Sequence, residues 1–248
     1  MLLDFQRVTD HIYRIELPIR LLGPVQIPVA VYLVQDREGW TLVDAGPTET
    51  APDLVAAIHE LTEGEGPRQV LLTHAHADHS GGLGDVLLEW NPPLICQREE
   101  ARFITGQSDY RFVPSRNLLF LIARYLIPQT GWGYPVAHAL ESGESIAGMV
   151  VIQLPGHSPG QVGFLHPGDQ AMLCGDAVMN LGGQLSHPYR FLSSDLALTQ
   201  NSIHRLAELD FRHLLPSHGD PILDRGREAV LDYLGLALAP DPLDHWHE

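Results

Sequence analysis

Residues 73–82 read Thr73-His74-Ala75-His76-Ala77-Asp78-His79-Ser80-Gly81-Gly82. His74, His76, Asp78 and His79 fall within six residues of one another. A helix would scatter His74 and His76, because positions i and i+2 do not share a face. The end of a strand running into a loop lets them converge. The apolar run 69–72 supplies that strand, and Gly81-Gly82 lets the backbone turn before a helix over 80–90. Imidazole and carboxylate together are ligand types for zinc, iron and related ions.

One short loop cannot complete the coordination of two ions, so further ligands are expected after other strands. His157 lies in Pro155-Gly156-His157-Ser158-Pro159-Gly160, after an apolar run at 150–154. Asp176 lies in Gly175-Asp176-Ala177, after 171–174, and His218 in Pro216-Ser217-His218-Gly219, after 213–215. Each follows a strand end and is flanked by Gly or Pro, where a rigid scaffold presents functional groups. Asp44, in Val43-Asp44-Ala45-Gly46, ends the apolar run 40–44 and reads as a turn residue.

Working outward, strands are expected at 29–34 and 40–44 with a turn at 36–39 between them. A helix follows at 51–62, then the strand 69–72, the helix 80–90 and a strand at 94–96. Residues 97–140 break the alternation. Helices at 99–105 and 116–127 make this stretch a helical, lid-like insertion. Its Phe103, Tyr110, Phe112, Phe120, Tyr125 and Trp132 either pack the inserted helices together or give a site an apolar wall. Strands at 150–154, 163–166 and 171–174, a helix at 195–206, a strand at 213–215 and a helix at 227–238 close the chain. The fold class is α+β, with sheets packed on each other and helices outside, in one domain spanning 1–248.

The 248 residues carry a formal net charge of −16, which repels phosphate backbones and argues against nucleic acid as partner or substrate. All fifteen basic residues are Arg, so Lys Schiff-base chemistry and a phosphate-loop Lys are excluded. Cys96 and Cys174 each sit in an apolar run and read as buried free thiols. The start, Met1-Leu2-Leu3-Asp4-Phe5-Gln6-Arg7, lacks a basic residue ahead of an apolar core, so a cytoplasmic location is the expectation. The most apolar stretch, 118–127, contains Arg124 and is too short to span a bilayer. The expected partner is a small-molecule substrate, with no nucleic acid and no membrane; a homo-oligomer is left open.

Taken in order, Val43-Asp44-Ala45-Gly46, the run at 73–82, Pro155-Gly156-His157, Gly175-Asp176-Ala177 and Ser217-His218-Gly219 resemble the metallo-β-lactamase fold superfamily over about residues 28–225. The resemblance implies a four-layer αββα sandwich with a dinuclear metal site at one edge. It implies that His74, His76 and His157 hold a first metal, that Asp78, His79 and His218 hold a second, that Asp176 bridges them, and that Asp44 supports the loop. Zinc is the expected ion, with manganese and iron as alternatives for the same ligands. Two such ions roughly 3.5–4 Å apart share a water and lower its pKa toward neutrality. The implied activity is that of a hydrolase whose metal-bridging hydroxide cleaves a small ester, lactone or thioester, with Asp78 as a proton relay and Asp176 as the bridge.

Relatives within the superfamily divide the remaining readings. Glyoxalase II-like thioesterases carry a long helical C-terminal region, whereas thirty residues follow His218 here. β-Lactam hydrolysis is an alternative, as is an oxidoreductase like the mononuclear iron persulfide dioxygenases. His187 and Tyr189, soon after Asp176, are candidates for a substrate pocket or for a plain surface loop. The other eight His outside the motifs (His11, His59, His138, His166, His204, His213, His245 and His247) read as surface or core residues.

Overall fold

The computed structural model describes residues 3–20, 26–126, 128 and 130–236, so His245 and His247 lie outside the described residues. Among these, strands β1 (Gln6–Arg7), β2 (Ile12–Arg20), β3 (Gln26–Asp36), β4 (Gly39–Val43), β5 (Pro67–Leu71), β6 (Leu94–Gln97) and β7 (His138–Leu140) form one sheet in that spatial order. The first four run antiparallel, and β4 through β7 are parallel. A second sheet is built from β8 (Ser145–Ile146), β9 (Met149–Gln153), β10 (Val162–His166), β11 (Ala171–Gly175) and, beyond a small hairpin of β12 (Met179–Leu181) and β13 (Gln184–Ser186), β14 (His213–Pro216). Its order is β14-β11-β10-β9-β8.

Side-chain alternation explains the layering. On β3, Val29, Val31 and Leu33 join a core with Leu54 and Ile58 of α1 (Ala51–Leu61). Val86, of the helix Leu83–Trp90, belongs to the same core. The alternate residues Ala30, Tyr32 and Val34 join Val151, Phe164, Leu173 and Leu215 of the second sheet. On β11, Leu173 faces that inter-sheet core, while Met172 and Cys174 face a third core with Ile203, Leu206 and Val230. Ile203 and Leu206 lie on the helix Leu196–Glu208, and Val230 on the helix Gly226–Leu234. Each sheet therefore buries both faces, and three apolar cores separate four layers. A one-residue slip of β3 would exchange its two buried faces, so the register is strongly specified.

The patterning differs from the structure in particular places. It assigns no strand before residue 29, yet β2 pairs with β3 along nine residues. The expected helix at 80–90 is two helices, α2 (Ala77–Ser80) and α3 (Leu83–Trp90). The break falls at Gly82, whose Cβ would lie 2.1 Å from the Ala45 carbonyl oxygen. The insertion is shorter than 97–140, because Gln97 ends β6 and 138–140 form the edge strand β7. Between these lie α4 (Arg98–Ile104) and α5 (Leu118–Ala123); the latter starts at 118 and not at the expected 116 because Asn117 caps it by accepting from the Leu119 amide, and the expected end at 127 lies outside the described residues. The helices behind the second sheet are α6 (Leu196–Glu208) and α7 (Gly226–Leu234). Both cysteines are buried and free, and burial pushes the Cys174 thiol up to about 12, which makes it inert. No helix among the described residues is long and apolar enough to cross a membrane.

Strands β4, β5, β9, β11 and β14 all release their chains toward one edge of the sandwich. Asp44 follows β4, the run from Thr73 follows β5, His157 follows β9, Asp176 follows β11 and His218 follows β14. Two backbone bonds stitch the sheets at that edge: Val162 N–H to Thr73 O at 2.9 Å and Ala30 N–H to Ser217 O at 2.7 Å.

Candidate metal centre

The structure brings all seven sequence-derived ligands together. His74 Nε2 and His157 Nε2 lie 3.1 and 2.9 Å from His76 Nδ1. His218 Nε2 lies 3.4 Å from Asp78 Oδ2, and His79 Nε2 lies 3.7 Å from the same oxygen. Asp176 stands between the groups. Its Oδ2 is 3.3 Å from both His157 Nε2 and His218 Nε2, and its Oδ1 is 3.5 Å from His79 Nε2.

Hydrogen bonds to the far side of four of the five rings fix which nitrogen faces the centre and put a proton on the outward one. The Pro28 carbonyl, 2.9 Å from His218 Nδ1, has no proton, so Nδ1 donates and Nε2 is the nitrogen turned to the centre. His79 Nδ1 donates in the same way to Asp44 Oδ2 at 2.9 Å. Thr73 Oγ1 gives its own proton to Asp44 Oδ2, so it accepts from His74 Nδ1 at 3.1 Å. Ser193 Oγ donates to the Tyr189 carbonyl and accepts from His157 Nδ1 at 3.3 Å. Only His76 is reversed, with Nδ1 facing inward.

The ring nitrogens of the first group converge within hydrogen-bond distance, and the one proton that His76 Nδ1 can place among them serves only one neighbour at a time. His79 Nε2 and Asp176 Oδ1 are, in addition, buried without a hydrogen-bond partner among the described residues. Buried polar atoms are rarely left so, and a divalent ion satisfies both. The donor set therefore fits a pair of metal ions: His74, His76 and His157 on one side, Asp78, His79 and His218 on the other, and Asp176 facing both.

The electrostatics separate the two halves. Burial pushes His76 down to about 3 and His157 down to about 4, with neighbouring imidazoles adding to the effect at His76. Burial also holds His74 well below its ordinary value. At His79 burial is outweighed by Asp78, Asp176 and Asp44, which raise it to about 9. His218 is raised well above its ordinary value, because Asp176 and Asp78 overcome its burial. The second group thus holds protons at neutral pH where a dication would sit. Metal uptake at pH 7 is expected to release protons and to tighten between pH 6 and 8, roughly tenfold per pH unit for each proton displaced. Calorimetric titrations in buffers of different ionisation enthalpy read this directly, and uptake without proton release would contradict it.

Asp44 supports this loop from a strained backbone, at φ +63°, where Asp is tolerated better than most residues. It accepts from the Thr73 amide at 2.8 Å, from Thr73 Oγ1 and from His79. Sequence reasoning missed Glu100, on the first turn of α4. It is fully buried and accepts from Ala75 N–H at 2.8 Å, Gly160 N–H at 2.7 Å, Ser158 Oγ at 2.5 Å and Tyr110 Oη at 3.2 Å. One signal was available: Glu100 occupies the same face as Phe103 and Ile104, at i, i+3 and i+4, where an apolar residue is expected.

The insertion divides between the two readings given for it. Phe103 and Tyr110 stack at 4.2 Å, Tyr110 covers His76 with ring centroids 4.7 Å apart, and Trp132 Nε1 donates to Ser80 Oγ. Phe112 and Tyr125 are exposed instead. His187 packs on Tyr233 of α7, and no hydrogen bond or ring contact ties it to the ligands. Tyr189 reaches them only through its carbonyl, by way of Ser193.

A further cluster, His11, His166 and Asp169, lies at the β10–β11 turn. Its groups are mutually satisfied. Asp169 accepts from His11 N–H, His11 Nδ1 and Thr9 Oγ1, and Asp169 N–H donates to His166 Nδ1. This is a pin between the N-terminal strands and that turn.

A model of the metallo-beta-lactamase superfamily matches residues 25–218. The "Probable metallo-hydrolase YybB" of Bacillus subtilis (strain 168) is 27% identical over 221 residues, which cover 89% of this chain and 93% of that protein. A hydroxyacylglutathione hydrolase of Xanthomonas euvesicatoria pv. vesicatoria (strain 85-10) is 27% identical over 86% of this chain and 69% of its own length. Among solved structures, TTHA1623 in a di-iron-bound form is similar at 30% identity and a TM-score of 0.60, over 84% of this chain and 94% of that one.

Proposed function

The chain belongs to the metallo-β-lactamase superfamily and is a metallo-hydrolase of that superfamily, and from that premise we propose a dinuclear enzyme that cleaves a small ester, lactone or thioester. The observation that carries the two-metal reading is Asp176, whose Oδ2 stands 3.3 Å from a nitrogen of each histidine group. When bound, two divalent ions supply Lewis acidity and a water that ionises near neutral pH. Zinc is the first candidate; iron is supported by the di-iron form of the similar structure.

The chain's own residues do the rest. Four buried imidazoles are oriented from behind by Pro28, Asp44, Thr73 and Ser193, so the ligand atoms are set before an ion arrives. Asp78 differs from the other ligands in exposure: its side chain is 27% exposed, against 3% for Asp176 and 4% for His218. It is the carboxylate that faces incoming substrate, and its oxygen accepts a proton and passes it to the leaving group. The apolar insertion beside the site, where Phe103 stacks on Tyr110 and Tyr110 lies over the His76 ring, favours a substrate carrying an acyl or aromatic group. The relative named as a hydroxyacylglutathione hydrolase supports keeping thioesters in the set.

A panel of lactones, aryl esters and thioesters, run beside a count of metals per chain, tests the proposal. Turnover of one class by protein holding two ions is expected. Protein with two confirmed ions that cleaves none of them would overturn the substrate reading. One iron per chain with oxygen consumption would establish the persulfide dioxygenase-like alternative.

A further inference from the structure

We infer that Glu100 is the positioning residue that sets the spacing of the first metal group, by tying the loop of His74 and His76 to the loop of His157. The inference rests on the dinuclear reading above.

Glu100 is a carboxylate with no exposure, on a helix face otherwise occupied by Phe103 and Ile104. No salt bridge with a basic side chain offsets its burial among the described residues. Such a group is costly unless hydrogen bonds replace its water. Four do, and their sources are specific. Oε2 accepts from the amide of Ala75, the residue between His74 and His76. Oε1 accepts from Ser158 Oγ, next to His157, and from the Gly160 amide. The fourth donor, Tyr110 Oη, lies beside the ring of His76 and within 3.3 Å of Ser158 Oγ. One side chain therefore spans two loops from different sheets, and it does so on the side of the three-histidine group. None of its hydrogen bonds reaches Asp78, His79 or His218. Asp44 reaches that other side through His79, and the first side by way of Thr73 and His74, without touching the loop of His157.

The three ring nitrogens of the first group lie 2.9–3.1 Å from their neighbours in the chain His74, His76, His157. His76 Nδ1 can give its one proton to a single neighbour at a time, so the closeness of all three nitrogens calls for a further restraint. The Glu100 bridge supplies one, joining the Ala75 amide to Ser158 Oγ and the Gly160 amide. Glu100→Gln keeps the shape but turns one oxygen into an NH2 group. That group cannot accept, so two of the four donors face a donor.

The test is a competition titration of the full-length chain with zinc against a chromophoric chelator, for wild type and Glu100→Gln. Wild type is expected to take up two equivalents. In the variant one equivalent weakens by about 10–100-fold, the range for groups that orient ligands, while the other stays within about 3-fold. Loss confined to one equivalent is what a merely structural role would not produce. Unchanged affinities, or equal weakening of both equivalents, would overturn the inference while leaving the dinuclear reading standing. A wild type that takes up no metal would overturn both. Should Glu100→Gln not fold, Ser158→Ala carries the test, because it removes one donor and leaves the carboxylate. The same equivalent is then expected to weaken by roughly 3–10-fold, the worth of one hydrogen bond. No shift would overturn the inference.

Discussion

Asp176→Asn is expected to lower turnover by roughly 10³-fold, the upper end of what one oriented charged group contributes in a water-excluded site, while the chain still folds. Asn has the same shape, so packing around residue 176 is kept. What changes is charge and donor character. Asp176 places Oδ2 3.3 Å from both His157 Nε2 and His218 Nε2, and Oδ1 3.5 Å from His79 Nε2. An amide in this place loses the negative charge, and one of its two atoms becomes a donor aimed at a histidine nitrogen or at an ion. Neither rotamer avoids this, because both carboxylate oxygens face ligands. Asp78 cannot substitute, since its partners are His79 and His218 and it does not reach the first group. Steady-state kinetics on the substrate class found by the panel measure the loss, and a metal count on the same sample assigns it. Two retained ions would place the effect in the chemistry, and one retained ion would place it in assembly of the site. Activity within tenfold of wild type would remove Asp176 from its bridging role.

The seven candidate ligands that the structure brings together were legible in the sequence because they lie just past apolar runs, in segments marked by Gly or Pro. Such placement is a local signal. The supports of those ligands were largely illegible. Glu100 and Ser158 are 58 residues apart, and Asn117, which donates to the Ser193 carbonyl beside His157, is 76 residues from its acceptor. A backbone carbonyl such as Pro28, which fixes the tautomer of His218, leaves no mark in residue identity at all. The layering was legible only in part. Alternation along β3 shows that both of its faces are apolar, but not which face meets helices and which meets the other sheet. That assignment comes from contacts such as Tyr32 Oη to the Pro216 carbonyl at 2.7 Å, across the inter-sheet core. Past the hairpin of β12 and β13, His187 packs on Tyr233 of α7, while the Tyr189 carbonyl accepts from Ser193 Oγ beside His157, a division that nearness in sequence to Asp176 does not reveal.

The two histidine groups differ in a way that bears on the protein without its ions. In the second group Asp44, Asp78 and Asp176 hold positive charge on His79 and His218, so protons partly take the place of a dication. In the first group burial keeps His74, His76 and His157 neutral, so no positive charge stands in for an ion there. The two halves therefore enter metal binding in different protonation states.

Chelation of both ions is expected to abolish hydrolysis and to lower the melting temperature by roughly 8–16 °C, without unfolding the chain at 25 °C. The loss of activity follows from water chemistry: a water with its pKa near 7 on a metal returns to about 15.7 free in solution, and no buried Ser or Cys replaces it, since the Cys174 thiol is itself pushed up to about 12. The thermal shift follows from linkage. An ion present at a thousand times its Kd stabilises the folded state by about 4 kcal/mol, and in a chain of this size each kcal/mol moves the midpoint by about 2–4 °C. The second ion adds less than the first, because the protons on His79 and His218 already neutralise part of the carboxylate charge when it leaves. That asymmetry sets the pH dependence. As the pH falls from 8 to 6, protons compete more strongly for His79 and His218, metal binding weakens, and the gap in melting temperature between loaded and chelated protein narrows. Thermal unfolding at several pH values, with residual metal counted in every sample, measures the gap. A gap that stayed constant with pH, or that vanished at pH 8 in verified metal-free protein, would show that the ions do not bind where the lone pairs converge.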